Sequence, residues 1–163
     1  MLSTCPNAMM LTASFKTARD LLAKLDRDFA LLKDEASSDR FFNFVVTAYS
    51  LCDWIKNDPS VPAAAKADLE RFRAQQKLLV CRDVTNASKH FELDERSQAK
   101  SITDRVDSSR GYGVGRFGIG PYGVGEEQIT LRFSDRTAFG VLEFAADVLS
   151  AWQSFLTCTP LRI

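Results

Sequence analysis

Leu11, Phe15, Ala18, Leu22, Leu25, Phe29 and Leu32 recur at alternating steps of four and three, a spacing that gathers side chains on one stripe of an α-helix. Lys16, Arg19, Asp20, Lys24, Asp26, Arg27 and Asp28 fill the other side, so the pattern predicts an amphipathic helix over about Thr12 to Lys33. The stripe stops after three heptads, which suits a bundle helix better than a dimerising coiled coil. A polar break from Asp34 to Asp39 offers Ser37, Ser38 or Asp39 as the cap of a second helix, predicted over about Arg40 to Lys56. Phe41, Phe42, Phe44, Val45, Ala48, Leu51, Cys52 and Ile55 cover more than half of its circumference, the pattern of a central helix. Asn57-Asp58-Pro59 ends it, because proline disfavours helical backbone in the residue before it.

Pro62 suits the first turn of a third helix, where a missing amide costs nothing. Ala65, Leu69, Phe72 and Gln76 give this helix a thinner inner face. The helical pattern continues to Phe91, as one long helix or as two with a bend near Gln76, with Val80, Val84, Ala87 and Phe91 on one stripe of the later half. A strand is expected to begin within Ser101 to Asp107. Seven of the eight glycines then fall between Gly111 and Gly125. Gln128 to Phe133 alternates with period two, placing Ile129, Leu131 and Phe133 on one side. Asp135 or Thr137 can cap a last helix over about Ala138 to Leu156, with Val141, Leu142, Ala145, Leu149, Trp152 and Phe155 or Leu156 facing inward. The chain therefore reads as mainly α: an antiparallel bundle of four to five helices in one domain, with a glycine-rich β-hairpin (about 101–134) inserted before the last helix.

Composition fits this reading. The 163 residues are 45% hydrophobic and 26% charged, with twelve phenylalanines, enough for one core. Lys+Arg and Asp+Glu are equal at 21 each, so no global field draws the chain to nucleic acid or anionic lipid, and only a local basic site is open to it. Cys5, Cys52, Cys81 and Cys158 show no metal-knuckle spacing. Met1 to Thr12 lacks the basic start and apolar run of a secretory leader, and no window approaches the ~20 apolar residues of a membrane span. A cytoplasmic, reduced protein without metal or cofactor is the expectation.

Chemistry concentrates in Cys81-Arg82-Asp83-Val84-Thr85-Asn86-Ala87-Ser88-Lys89-His90-Phe91, which holds the only histidine. On a helix Asp83 and His90, seven apart, differ by about 20°, and Asn86 lies between them. Arg82 joins the strip through its four-residue spacing to Asn86, although it stands about 80° from His90. His90 is the one side chain whose ordinary pKa suits a base near neutrality. Arg82 can stabilise phosphate charge through paired donors, Lys89 can assist, Asn86 can hydrogen-bond a phosphate, and Asp83 can orient the imidazole. A structural reading stands beside this one, with a histidine packed at the core border and an arginine paired to a neighbouring acid. Asp53-Trp54 would lie beside the strip if the second and third helices are neighbours, with Trp54 in the core.

Arg82-Asp83 followed by His90 in a helix-rich chain of this size resembles the HEPN superfamily of small helical-bundle proteins. In that family an arginine, usually followed by a polar residue, precedes a histidine by four to six intervening positions. Seven intervene here. The resemblance implies a metal-independent endoribonuclease of toxin or phage-defence type, or a degenerate RNA-binding relative, with Arg82 and His90 as its catalytic residues. It further implies RNA as substrate and an antitoxin or other protein as partner. One histidine per chain serves poorly as both acid and base, so the mechanism also predicts a homodimer. The alternative is a non-catalytic helical interaction or scaffold protein.

Gly113 to Gly118 and Gly118 to Gly123 both match GxGxxG, but neither follows a buried strand and opens a helix, as a dinucleotide-binding turn requires. Tyr112, Arg116 and Tyr122 interleave with these glycines and are candidates for stacking on single-stranded bases. A tip with no binding role is the simpler reading of the tract.

Overall fold

The structure is a computed structural model, and it describes residues 15–59, 61–89, 102–109 and 127–158. Among these lie five helices and a three-stranded antiparallel sheet. Helix α1 spans Ala18–Asp34, α2 Ser38–Asn57, α3 Ala63–Arg73, α4 Gln76–Lys89 and α5 Val141–Cys158. Strands β1 (Thr103–Ser109), β2 (Gln128–Phe133) and β3 (Ala138–Gly140) pair in the order β1-β2-β3. The mainly α architecture agrees with the hydrophobic pattern.

Helix α1 starts later than its stripe suggests, because Thr17 and Asp20 build a capping box. The Thr17 side chain accepts from the Asp20 amide, and the Asp20 carboxylate accepts from the Thr17 amide at 2.8 Å. Each satisfies a donor that the helix start would otherwise orphan. Amide donors from Lys16 and Thr17 hold the Asp20 carboxyl below its ordinary range. Ser37 caps α2 by accepting from the Arg40 amide. Arg40 reaches back to the end of α1, donating to the carbonyls of Leu31 at 2.7 Å and Glu35 at 3.2 Å. A cation there complements the negative end of the helix dipole.

Helix α2 is central and packs against α1, α3, α4 and α5. Phe41, Phe44, Val45, Ala48, Leu51, Cys52 and Ile55 are buried on it, whereas Phe42 is exposed. Thr47 is buried on its α1 side, with Oγ1 2.6 Å from Asp28 and accepting from Lys24 at 2.8 Å. On α1 the innermost residues are Ala18, Leu21, Leu25 and Leu32, with Leu22 and Phe29 at the margin. Pro62 is the cap of α3 and lies outside its first turn. The pattern through Gln76 resolves as two helices, because Ala74 closes α3 and α4 starts afresh at Gln76, which is exposed. Ala87 also faces outward, so the inner side of α4 is Leu78, Val80 and Cys81, joined by Asp83 and Thr85.

The last helix begins at Val141, since Ala138–Gly140 form β3 against β2. Asp135 and Thr137 are therefore hairpin residues and not a helix cap. Asp135 Oδ1 accepts from both the amide and the hydroxyl of Thr137, at 2.9 and 2.6 Å. The Arg136 amide donates to the Phe133 carbonyl, and the Phe133 amide to the Thr137 carbonyl, which leaves a three-residue loop whose last position must be left-handed. Arg136 fills that position at φ 70°, a conformation that costs a residue with a Cβ about 1–2 kcal/mol. Arg136→Gly should raise stability by about 1 kcal/mol, after allowing for glycine's extra unfolded-state entropy. A higher urea midpoint at unchanged slope would register it.

Candidate functional site

The Arg82–Asp83 pair sits on α4 where that helix faces the start of β1. Asp83 is 6% exposed, a degree of burial that an ionised carboxylate tolerates only with partners. The guanidinium edge of its neighbour straddles one oxygen: Arg82 Nε and Nη2 donate to Asp83 Oδ1 at 3.0 and 2.7 Å. The other oxygen, Oδ2, accepts from the backbone amides of Ile102 at 2.8 Å and Thr103 at 3.2 Å. The carboxylate thus fastens α4 to the residues that open the sheet. Ile102 continues the tie, as its carbonyl accepts from the Ser134 amide at 3.2 Å at the far end of β2.

Two consequences follow for the polar strip. Arg82, with its side chain 26% exposed, is held in one orientation by a rigid buried acceptor. The pair is also formally neutral, so Arg82 brings little net positive charge to this face. Asn86, one turn on, is half-buried. His90 and the side chain of Lys89 lie outside the described residues, and so do Tyr112, Arg116 and Tyr122. Arg82 and Asp83 are brought together; the further convergence on His90 falls beyond what is described. Asp53 is exposed and Trp54 half-buried, its ring 6.5 Å from that of Phe15, so Trp54 stands at the margin of the core.

The thiols on the inner faces of α2 and α4 are poor nucleophiles. Burial pushes Cys52 up to about 12 and Cys81 higher still, and a protonated, buried thiol is inert. A 370 Å³ depression beside the α3–α4 junction is lined by Ala74, Gln76, Leu79, Ile102, Phe133 and Asp135, adjoining the Asp83 tie through Ile102.

Sequence reasoning missed one cluster on the outer face of the sheet. Arg105 on β1 stands directly opposite Arg132 on β2, and Asp107 sits two residues along β1. Both guanidiniums approach Asp107 through Nε, Arg105 at 3.0 Å. Arg132, together with Arg105, holds the Asp107 carboxyl below its ordinary range. The signal was available only through register, because residues 105 and 132 have no periodic relation in sequence.

Comparison with protein-family models, curated proteins and solved structures found no match for this chain. Among the described residues, no helix is long and apolar enough to cross a membrane.

Proposed function

We propose that this chain is a HEPN-like, metal-independent endoribonuclease whose working residues are Arg82 and His90. The observation that carries the reading is the orientation of Arg82: a partly exposed guanidinium locked by the buried Asp83, eight residues before the only histidine. Preorganised donors of this kind stabilise charge that develops in a transition state, since they need no rearrangement when it forms. His90 would take the proton of a ribose 2′-hydroxyl, whose oxygen then attacks the adjacent phosphorus. The phosphorus–5′-oxygen bond breaks, and the departing oxygen receives a proton from His90 of a second copy. The products are a 2′,3′-cyclic phosphate and a 5′-hydroxyl. Arg82 would hold the phosphorane oxygens, and Lys89 would add the charge that Asp83 offsets.

The grip of Asp83 on the Ile102 and Thr103 amides favours a second reading, in which the strip is structural and the chain is a non-catalytic helical interaction protein. Cleavage of a mixed RNA pool in EDTA separates the two. The ribonuclease reading expects cyclic-phosphate ends from the wild-type chain, lost in His90→Ala and Arg82→Ala while their far-UV circular dichroism is retained. The structural reading expects no cleavage by any form and a lowered melting midpoint in both variants.

A further inference from the structure

Arg105 and Arg132 form a pair of like charges set directly across two antiparallel strands. Such juxtaposition weakens a sheet, and one arginine would suffice to pair with Asp107. Here two guanidiniums share that one carboxylate. Both side chains are open, Arg105 at 61% and Arg132 at 46% exposed. Each spends its Nε on Asp107, and their terminal Nη nitrogens make no hydrogen bond among the described residues. The cluster carries a net charge of +1 on a face with little relief. Ala138 lies across from Arg132, and Gly140 lies across from Thr130. A side-chain carbon built at Gly140 would meet nothing within 4 Å. Thr130 and Gln128 follow Arg132 along the same face, each step of two residues advancing about 6.8 Å.

We infer that the outer face of the sheet binds the phosphodiester backbone of single-stranded RNA, with the Nη groups of Arg105 and Arg132 clasping one phosphate. Two neighbouring guanidiniums present forked donors that match phosphate oxygens, and charge complementarity selects a polyanion over a neutral partner. Thr130 and Gln128 offer hydrogen-bonding groups to the next sugar–phosphate unit. Asp107 holds the two arginines in register and limits their affinity, so the surface binds reversibly. This inference rests on the RNA reading of the chain, because it names how a substrate strand is held away from α4.

The test is fluorescence anisotropy of a labelled 20-nucleotide single-stranded RNA, 2′-O-methylated so that it cannot be cleaved, in EDTA at several salt concentrations. It uses the wild-type chain, Arg105→Gln/Arg132→Gln, Asp107→Asn, and Arg27→Gln/Arg71→Gln as an exposed-charge control. The expected result is roughly tenfold or greater weakening in the Arg105/Arg132 variant, with the salt slope lower by about 0.7 for the one phosphate no longer neutralised. Asp107→Asn should tighten binding, and the control pair should change it little. Equal weakening in the control, or an unchanged curve for Arg105→Gln/Arg132→Gln, would overturn the inference. If cleavage still depended on Arg82 and His90 in that case, the ribonuclease reading would stand without the sheet surface. Conversely, sheet-dependent binding by a chain that cleaves nothing would sustain the surface and sink the ribonuclease.

Discussion

Trp152→Ala should remove about 3–5 kcal/mol of stability, a large share of the 5–15 kcal/mol expected of a domain. Trp152 is fully buried on α5 and sits against α3, its ring centroid 4.6 Å from Phe72 and 5.8 Å from Phe155. Phe72 and Phe155 are themselves 4.7 Å apart, so the three rings share one cluster and truncating the largest leaves a void that the others cannot fill without moving. Phenylalanine at the same position isolates the indole nitrogen. Trp152 Nε1 has no hydrogen-bond partner among the described residues, and a buried orphan donor costs about 1–3 kcal/mol of desolvation. Trp152→Phe removes that cost while it loses part of the ring area. The two terms oppose, and the variant should fall within about 1.5 kcal/mol of wild type. Urea unfolding followed by circular dichroism measures both. A phenylalanine variant as unstable as the alanine one would show that the indole N–H is bonded and that ring area is the lesser term.

The elements that announced themselves in the sequence are those fixed by local punctuation and by period. Ser37 and Pro59 bracket α2, and the alternation of Ile129, Leu131 and Phe133 gave β2 its bounds. Strand β3 was illegible because three residues cannot establish a period of two. Phe139 also falls in phase with the apolar stripe of the helix that follows. Asp135 misled for a related reason: a carboxylate accepting from the amide two residues on serves a hairpin loop as well as a helix start. On α4 the spacing of Arg82, Asp83 and Asn86 located the polar strip. It could not show that Asp83 points inward, because its acceptors' donors are amides nineteen and twenty residues later. The facing of Arg105 and Arg132 was hidden likewise, since strand register across a long glycine-rich connection is a tertiary property.

Asp83→Ala should cost about 2–6 kcal/mol, from orphaning the Ile102 and Thr103 amides at about 1–3 kcal/mol each. The loss would be shared between two elements: Arg82 loses its acceptor on α4, and the Ile102 and Thr103 amides lose theirs where β1 begins. Asp83→Asn keeps the shape but can no longer accept on both sides, because its amide must aim at either Arg82 or the backbone donors. It should cost about 1–3 kcal/mol and should speed amide exchange at Ile102 and Thr103 before it affects α2. Melting curves and exchange-detected NMR check the two effects separately. A double-mutant cycle with Arg82→Ala then apportions them, since residues in one network do not add. If the carboxylate serves mainly Arg82, Arg82→Ala alone should reproduce most of the loss. If it serves mainly the sheet, Arg82→Ala should be mild and Asp83→Ala severe, because the backbone amides remain to be satisfied. The same variants bear on chemistry. In the proposed ribonuclease Asp83 would act through Arg82 as a positioning residue, so Asp83→Asn assayed well below its melting midpoint should lower cleavage at saturating RNA. A packing role would instead leave cleavage intact up to the temperature at which the chain begins to unfold.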